Sequence, residues 1–162
     1  MGTIALTGGG VLRYSTGGSQ TVVQYVAPRS NRKEGMVLGR DATVSPRGPV
    51  EIKLIAEVGE HVLVVSDQYE SKQGSMSYCG AGQEKFLRVL SIGGAVRETF
   101  HAKLESCIDN LELASPGVLW NPETSTLEIH WLSGSGPNEH NQTRSYRIDP
   151  RNGEVKASDS PH

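Results

Sequence analysis

The sequence predicts an all-β fold, mainly antiparallel and with little helix, and three observations carry that prediction. Short runs that alternate apolar and polar residues recur along the chain; Gly, Pro, Asn and Ser separate them; and stretches with helical spacing are scarce. With 162 residues and no break in composition, the chain reads as a single domain. The expected architecture is a β-sandwich or a strongly twisted sheet of roughly nine to eleven strands.

The Gly-rich start, with Gly8-Gly9-Gly10 and Gly17-Gly18, offers little apolar surface to offset ordering entropy. Residues 1–20 and the tail 157–162 are therefore expected to be mobile. Thr21-Val22-Val23-Gln24-Tyr25-Val26 is the first clear strand, stopped by Pro28 and the polar stretch 29–35. Val50-Glu51-Ile52-Lys53-Leu54 and the run beginning at Glu60 are joined through Glu57-Val58-Gly59-Glu60, a hairpin signal. The second of these, Val62-Leu63-Val64-Val65, is apolar without alternation, which predicts a central strand covered on both faces. Phe86-Leu87-Arg88-Val89-Leu90-Ser91-Ile92 follows and ends at Gly93-Gly94. Residues 95–106 read equally as one bent strand or a short helix, and Leu111-Glu112-Leu113 as a brief strand. Val118-Leu119-Trp120 and residues 126–132 flank Asn121-Pro122-Glu123-Thr124-Ser125, a strong turn signal. Leu127, Ile129 and Trp131 share one face of the later strand, and Glu128 and His130 the other. Arg144-Ser145-Tyr146-Arg147-Ile148-Asp149 meets Glu154-Val155 across Pro150-Arg151-Asn152-Gly153, whose Asn-Gly pair suits the positive φ of a tight hairpin.

The 16 Lys and Arg against 18 Asp and Glu give a formal charge of −2, and the basic residues are scattered except for Arg29, Arg32 and Lys33. This lacks the basic stripe of a nucleic-acid binder. No run is long and apolar enough for a transmembrane helix. The opening Met1-Gly2-Thr3-Ile4-Ala5-Leu6 lacks the charged start and apolar centre of an export signal. Two cysteines in a strand-rich chain, Cys79 and Cys107, predict one disulfide and an oxidising compartment. The expectation is thus an exported, periplasmic protein whose signal has been removed, in preference to a cytosolic one.

His61, His101, His130, His140 and His162 form no His-x-His or His-Glu-x-x-His array, and the cysteines lack close partners of zinc spacing. His130 reads as a solvated cross-strand neighbour. Ser133-Gly134-Ser135-Gly136 has the wrong offsets for a nucleophile elbow, and Gly80-x-Gly82 lacks the rest of a phosphate cradle. Asp67, Glu70, Glu84, Glu98, Glu105 and Asp109 are candidate acid–base carboxylates, but sequence places no two of them across a cleft. No catalytic residue, metal site or cofactor is assigned, and the chain is expected not to be an enzyme.

Two polar loops on the rigid β scaffold remain as the expected recognition sites. Residues 133–142 offer Ser133, Ser135, Asn138, Glu139, His140 and Asn141, with Pro137 limiting the freedom of the loop. Residues 68–82 carry Tyr69, Glu70 and Tyr78 beside Cys79, whose disulfide would reduce the entropy lost on binding.

The segment Ser77-Tyr78-Cys79-Gly80-Ala81-Gly82-Gln83-Glu84, then Phe86-Leu87-Arg88-Val89 and a second cysteine further on, resembles small secreted bacterial proteins of the periplasm. In size and texture the chain resembles the immunity proteins that protect bacteria from toxins delivered by type VI secretion. That resemblance implies a protein partner, a secreted toxin or hydrolase, whose active-site cleft is blocked by a projecting loop. Periplasmic lysozyme inhibitors are similar in size, but Pro137 stands where their Ser-Gly-x-x-Tyr loop has Tyr, so no residue is carried over from them. The alternative expectation is a secreted enzyme or glycan-binding module acting on cell-wall material, with Trp120 and Trp131 as the tryptophans for a sugar platform.

Overall fold

The computed structural model describes residues 2–17, 20–30, 32–73, 79–132 and 142–158. Among these there is no helix, and twelve strands form three antiparallel sheets of four. Each sheet is a simple meander of consecutive strands. The first holds β1 (Gly2–Ala5), β2 (Val11–Gly17), β3 (Gln20–Val26) and β4 (Lys33–Leu38). The second holds β5 (Glu51–Val58), β6 (Val62–Glu70), β7 (Gln83–Ser91) and β8 (Arg97–Ser106), and the third β9 (Glu112–Asn121), β10 (Thr126–Leu132), β11 (Gln142–Ile148) and β12 (Val155–Ser158).

The second sheet is the middle layer of a three-layer stack, and its alternation shows this directly. Leu63, Val65 and Leu90 join Leu12, Val23 and Leu38 of the first sheet in one core. Their sequence neighbours Val62, Val64, Leu87 and Val89 join Leu127, Ile129 and Ile148 of the third sheet in another. The absence of alternation in β6 follows: every residue from Val62 to Asp67 is buried because both faces are covered. In β5 a register shift falls between Leu54 and Ala56. A bulge there inverts the alternation, so Ile52 and Leu54 face the first sheet while Ala56 and Val58 face the third.

Within residues 1–20, expected to be mobile, residues 2–17 form β1 and β2 and the turn between them. Ile4, Leu6, Leu12 and Tyr14 pack on the first core, and β1 pairs with β2 from Gly2↔Tyr14 to Ala5↔Val11. The glycines hid a hairpin whose apolar residues alternate across a tight turn. Residues 157 and 158 lie in β12, paired with Tyr146 and Ser145; residues 159–162 lie outside the described residues. The open reading of residues 95–106 resolves as β8, a strand with two register shifts. Leu113 and Val118, read as separate short strands, belong to one strand, β9, which contains Pro116. Proline is tolerated because β9 is an edge strand with no ladder partner on its outer side.

The hairpins foreseen at Gly59 and Gly153 are present, with φ of 62° and 77°. At the 121–125 turn the Asn121 side-chain oxygen accepts a hydrogen bond from the Glu123 amide at 3.0 Å.

Candidate functional site

In a stack of three four-strand meanders, the connection lengths separate the two ends of the molecule. The connections β1–β2, β3–β4, β5–β6, β7–β8, β9–β10 and β11–β12 lie at one end and span at most six residues each. The strand ends at the opposite end border residues 39–50, 71–82, 107–111 and 133–141. Contacts between layers show that the sheets share this polarity. The Tyr69 hydroxyl, near the end of β6, lies 3.2 Å from that of Thr21 at the start of β3, and the Trp131 indole in β10 donates to the Leu104 carbonyl near the end of β8 at 3.0 Å. The two loops expected from sequence to mediate recognition therefore leave the scaffold at the same end.

That end is braced by charges buried within the middle sheet. Arg88 is 1% exposed and Asp67 0%. The guanidinium donates to both Asp67 carboxylate oxygens, at 2.8 and 2.9 Å, to Glu98 at 2.9 Å and to the Gly39 carbonyl at 2.6 Å. Burial alone would lower the Arg88 pKa, but the hydrogen-bonded Asp67 and the nearby Glu98 carboxylate outweigh it, and the net shift is upward. Tyr69 donates to Asp67 at 2.6 Å, and burial together with that carboxylate raises the pKa of its phenol. The Arg40 guanidinium lies 4.8 Å from the centre of the Tyr69 ring and donates to Thr21 and to the Arg47 carbonyl. Arg88 and Arg40 together fix the start of the 39–50 connection.

A second cluster fixes the remaining segments. Glu84, fully buried, accepts from Ser71 at 3.1 Å, Ser106 at 2.6 Å and the Cys107 amide at 2.7 Å. Lys103 donates to Asp41, Thr43 and Asp109, each at 2.8 Å. Burial opposes the charge on Lys103, yet Asp109 and Asp41 raise its pKa overall; burial likewise opposes the charge on Asp41, and Lys103 and Thr43 lower its pKa overall. The Cys79–Cys107 disulfide is present, with its Cα atoms 5.8 Å apart. It ties the 71–82 connection to the β8–β9 turn. Among the described residues no group of three or more His, Cys, Asp or Glu side chains is arranged to hold a metal ion. The Lys103 ammonium draws Asp41 and Asp109 together and lies 3.8 Å from Glu84.

The residues expected from sequence fall into three groups. Glu70 is exposed, pairs with Arg47 at 3.5 Å, and lines a groove of about 580 Å³ with Ser45, Arg47, Lys72 and Gln73. Tyr69 is corrected: at 0% exposure it is a core residue, packed edge-on against Phe86, and does not present a surface to a partner. It points inward because it shares the inner face of β6 with Val65 and Asp67. Tyr78, Ser133, Ser135, Asn138, Glu139, His140 and Asn141 lie outside the described residues. His130 is a cross-strand neighbour, 2.9 Å from the Thr143 hydroxyl. Trp131 is 7% exposed and held by its indole hydrogen bond, so it packs as core.

Sequence reasoning missed Asp67 and Arg88 as a buried pair. The available signal was a charge inside each of two otherwise apolar strands, in Val62-Leu63-Val64-Val65-Ser66-Asp67 and in Phe86-Leu87-Arg88-Val89-Leu90. A further cavity of about 480 Å³ lies at the tight-turn end beside Asp149, Arg151, Glu154 and Lys156. Those exposed charges pair with one another, Arg151 with Asp149 and Lys156 with Glu154, and the Asp149 pKa is lowered by the Arg151 backbone amide and guanidinium. Of its charged lining only Arg147 is left without an ion pair among the described residues, and the loop-bearing end, with its braced connections, is the stronger candidate site. Compared with protein-family models, curated proteins and solved structures, the chain has no match.

Proposed function

We propose that this chain is a binding protein whose loop-bearing end recognises a protein partner. In this reading it acts in the periplasm and neutralises a secreted toxin or cell-wall-degrading enzyme. Residues 133–141 occupy the enzyme's active-site cleft, the mechanism is steric occlusion, and the chain performs no chemistry of its own. One observation carries the reading: the long connections leave the strands at one end, and two of them are anchored, 39–50 by the buried Arg88 and by Lys103, and 71–82 by the disulfide. Loops on a rigid scaffold lose less entropy on binding, which favours recognition at that end. The disulfide is compatible with an oxidising compartment.

The test replaces Asn138, Glu139, His140 and Asn141 by Gly and Ser. The partner captured by the native protein from a bacterial periplasmic extract is purified, and its affinity and enzymatic activity are measured with both forms. Binding should weaken at least about tenfold, or roughly 1.4 kcal/mol, with thermal stability nearly unchanged. Unaltered affinity, or a partner fully active in the complex, overturns the reading.

A further inference from the structure

At the start of β11 its inner face opens out of the core. Gln142, Arg144 and Tyr146 share that face, opposite Trp131, Ile129 and Leu127 of β10. Between them and β8 lies a groove of about 370 Å³, lined also by Phe100, Ala102 and Leu111. Its floor is aromatic: the Phe100 and Tyr146 rings are 4.8 Å apart, and Trp131 lies beside them. Over the Trp131 ring, 5.9 Å from its centre, stands the Arg144 guanidinium.

Arg144 is exposed and has no carboxylate partner among the described residues. The other basic side chains lining the groove are committed, Lys103 to Asp41 and Asp109, and His101 to Glu98 at 3.4 Å. Among the described residues, the Gln142 side-chain amide and the Tyr146 hydroxyl have no hydrogen-bond partner. The groove thus combines one uncommitted cation, two unpaired polar groups and an aromatic floor. β8 is also an edge strand of its sheet. Its Leu104 carbonyl, at a register shift, points outward to the Trp131 indole, and the pairing of Ala102 with Leu87 leaves the backbone groups of His101 and Lys103 facing away from β7. An extended chain laid along the groove meets hydrogen-bonding backbone there.

We infer that this groove binds an extended acidic segment of a protein partner. The carboxylate of an Asp or Glu pairs with Arg144, and an adjacent aromatic or apolar side chain covers Phe100, Tyr146 and Trp131. The stacked guanidinium is held in place by the Trp131 ring before the carboxylate arrives, and a bidentate pair follows from its geometry. This inference rests on the reading of the loop-bearing end as a recognition surface and names the chemistry of what it recognises.

The test titrates the full chain with acetyl-Val-Phe-Glu-Val-amide, with the same peptide carrying Gln for Glu, and with N-acetylmuramic acid, following Trp fluorescence and backbone amide shifts. The Glu peptide should bind roughly tenfold or more tightly than the Gln peptide, with shifts at residues 100–104 and 142–146. Arg144→Gln should abolish the difference, whereas Arg147→Gln, whose side chain lies on the other face of β11, should preserve it. Equal affinity for the two peptides, binding of neither, or binding of the sugar acid alone overturns the inference. Peptide binding through Arg144 with partner affinity indifferent to the 138–141 replacement would sink the proposed function and leave the groove standing. The converse pair of results would sink the groove and leave the function.

Discussion

Replacing Arg88 by Met should unfold this protein more readily than any surface change at the same end, and the structure sets the size of the effect. The methionine fills most of the space of the arginine stem but leaves Asp67 at 0% exposure with the Tyr69 hydroxyl and no cation. Glu98, 20% exposed at its side chain, regains water and contributes less to the loss. Breaking a buried pair by removing one partner typically costs about 3–5 kcal/mol. At roughly 2–4 °C per kcal/mol for a chain of this size, the midpoint should fall by about 6–20 °C. The pair itself need not be worth that much, because most of the loss is the charge left behind. Arg88→Met combined with Asp67→Leu should therefore recover most of the stability, with a coupling of roughly 2 kcal/mol or more. Urea unfolding followed by circular dichroism measures both the loss and the coupling. A single-variant loss under about 1 kcal/mol, or additive losses in the double variant, would refute the claim that the network is a coupled brace. Because Arg88 also holds the Gly39 carbonyl, amide exchange in residues 39–50 should quicken in the single variant.

Three further outcomes follow from the same end of the molecule. Replacing Cys79 and Cys107 by Ser opens a link across 28 positions and should cost about 3–4 kcal/mol in the chain-entropy account, read as a lower urea midpoint; a change under 1 kcal/mol would mean that Glu84 and its partners already hold the segment. Gly82→Ala would set a Cβ 2.6 Å from the Cys107 Cβ and 2.9 Å from that of Cys79, so it should destabilise by about 1–3 kcal/mol and make the disulfide more easily reduced; native reduction kinetics would refute this. Asp41, whose folded-state pKa is lowered, contributes stability that is fully present above its unfolded value near 3.8 and is lost as pH falls through the folded value. Lys103, whose pKa is raised, contributes stability that is present below 10.5 and lost as pH rises through its folded value. Asp41→Asn should flatten the acid limb of the stability profile and Lys103→Met the alkaline limb, and an unchanged limb in either variant counts against the tie between them.

Local patterning made much of the fold legible. A two-residue period reports which residues face a core whatever that core is, so β3, β5, β7, β10 and β11 and the turns at Gly59, Asn121 and Gly153 could be read directly. The unbroken apolar run of β6 went further and implied cover on both faces. Two things misled. Glycines around residues 8–18 suggested an unstructured start, although Ile4, Leu6, Leu12 and Tyr14 alternate into the core. Tyr69 looked like a loop residue because its strand extends to Glu70, beyond the apolar run that marked it.

The site was legible only in outline, for a reason that lies in topology. Sequence length between strands shows that residues 39–50, 71–82 and 133–141 are long connections, and composition shows that they are polar. Which end of the molecule each leaves from depends on how the strands pair, and whether the ends coincide depends on how the sheets stack. The same limit applies to charge. Asp67, Glu84 and Arg88 are ordinary charged residues in a linear text, and their partners lie up to 23 positions away in sequence, or 49 for the Gly39 carbonyl. The chain's own residues determined an antiparallel β domain with one disulfide, since alternation, turn chemistry and cysteine count act locally or through a single pairing. The three-layer stack, the shared loop end and the buried ion network were decided by tertiary structure, because each depends on which distant segments desolvate one another.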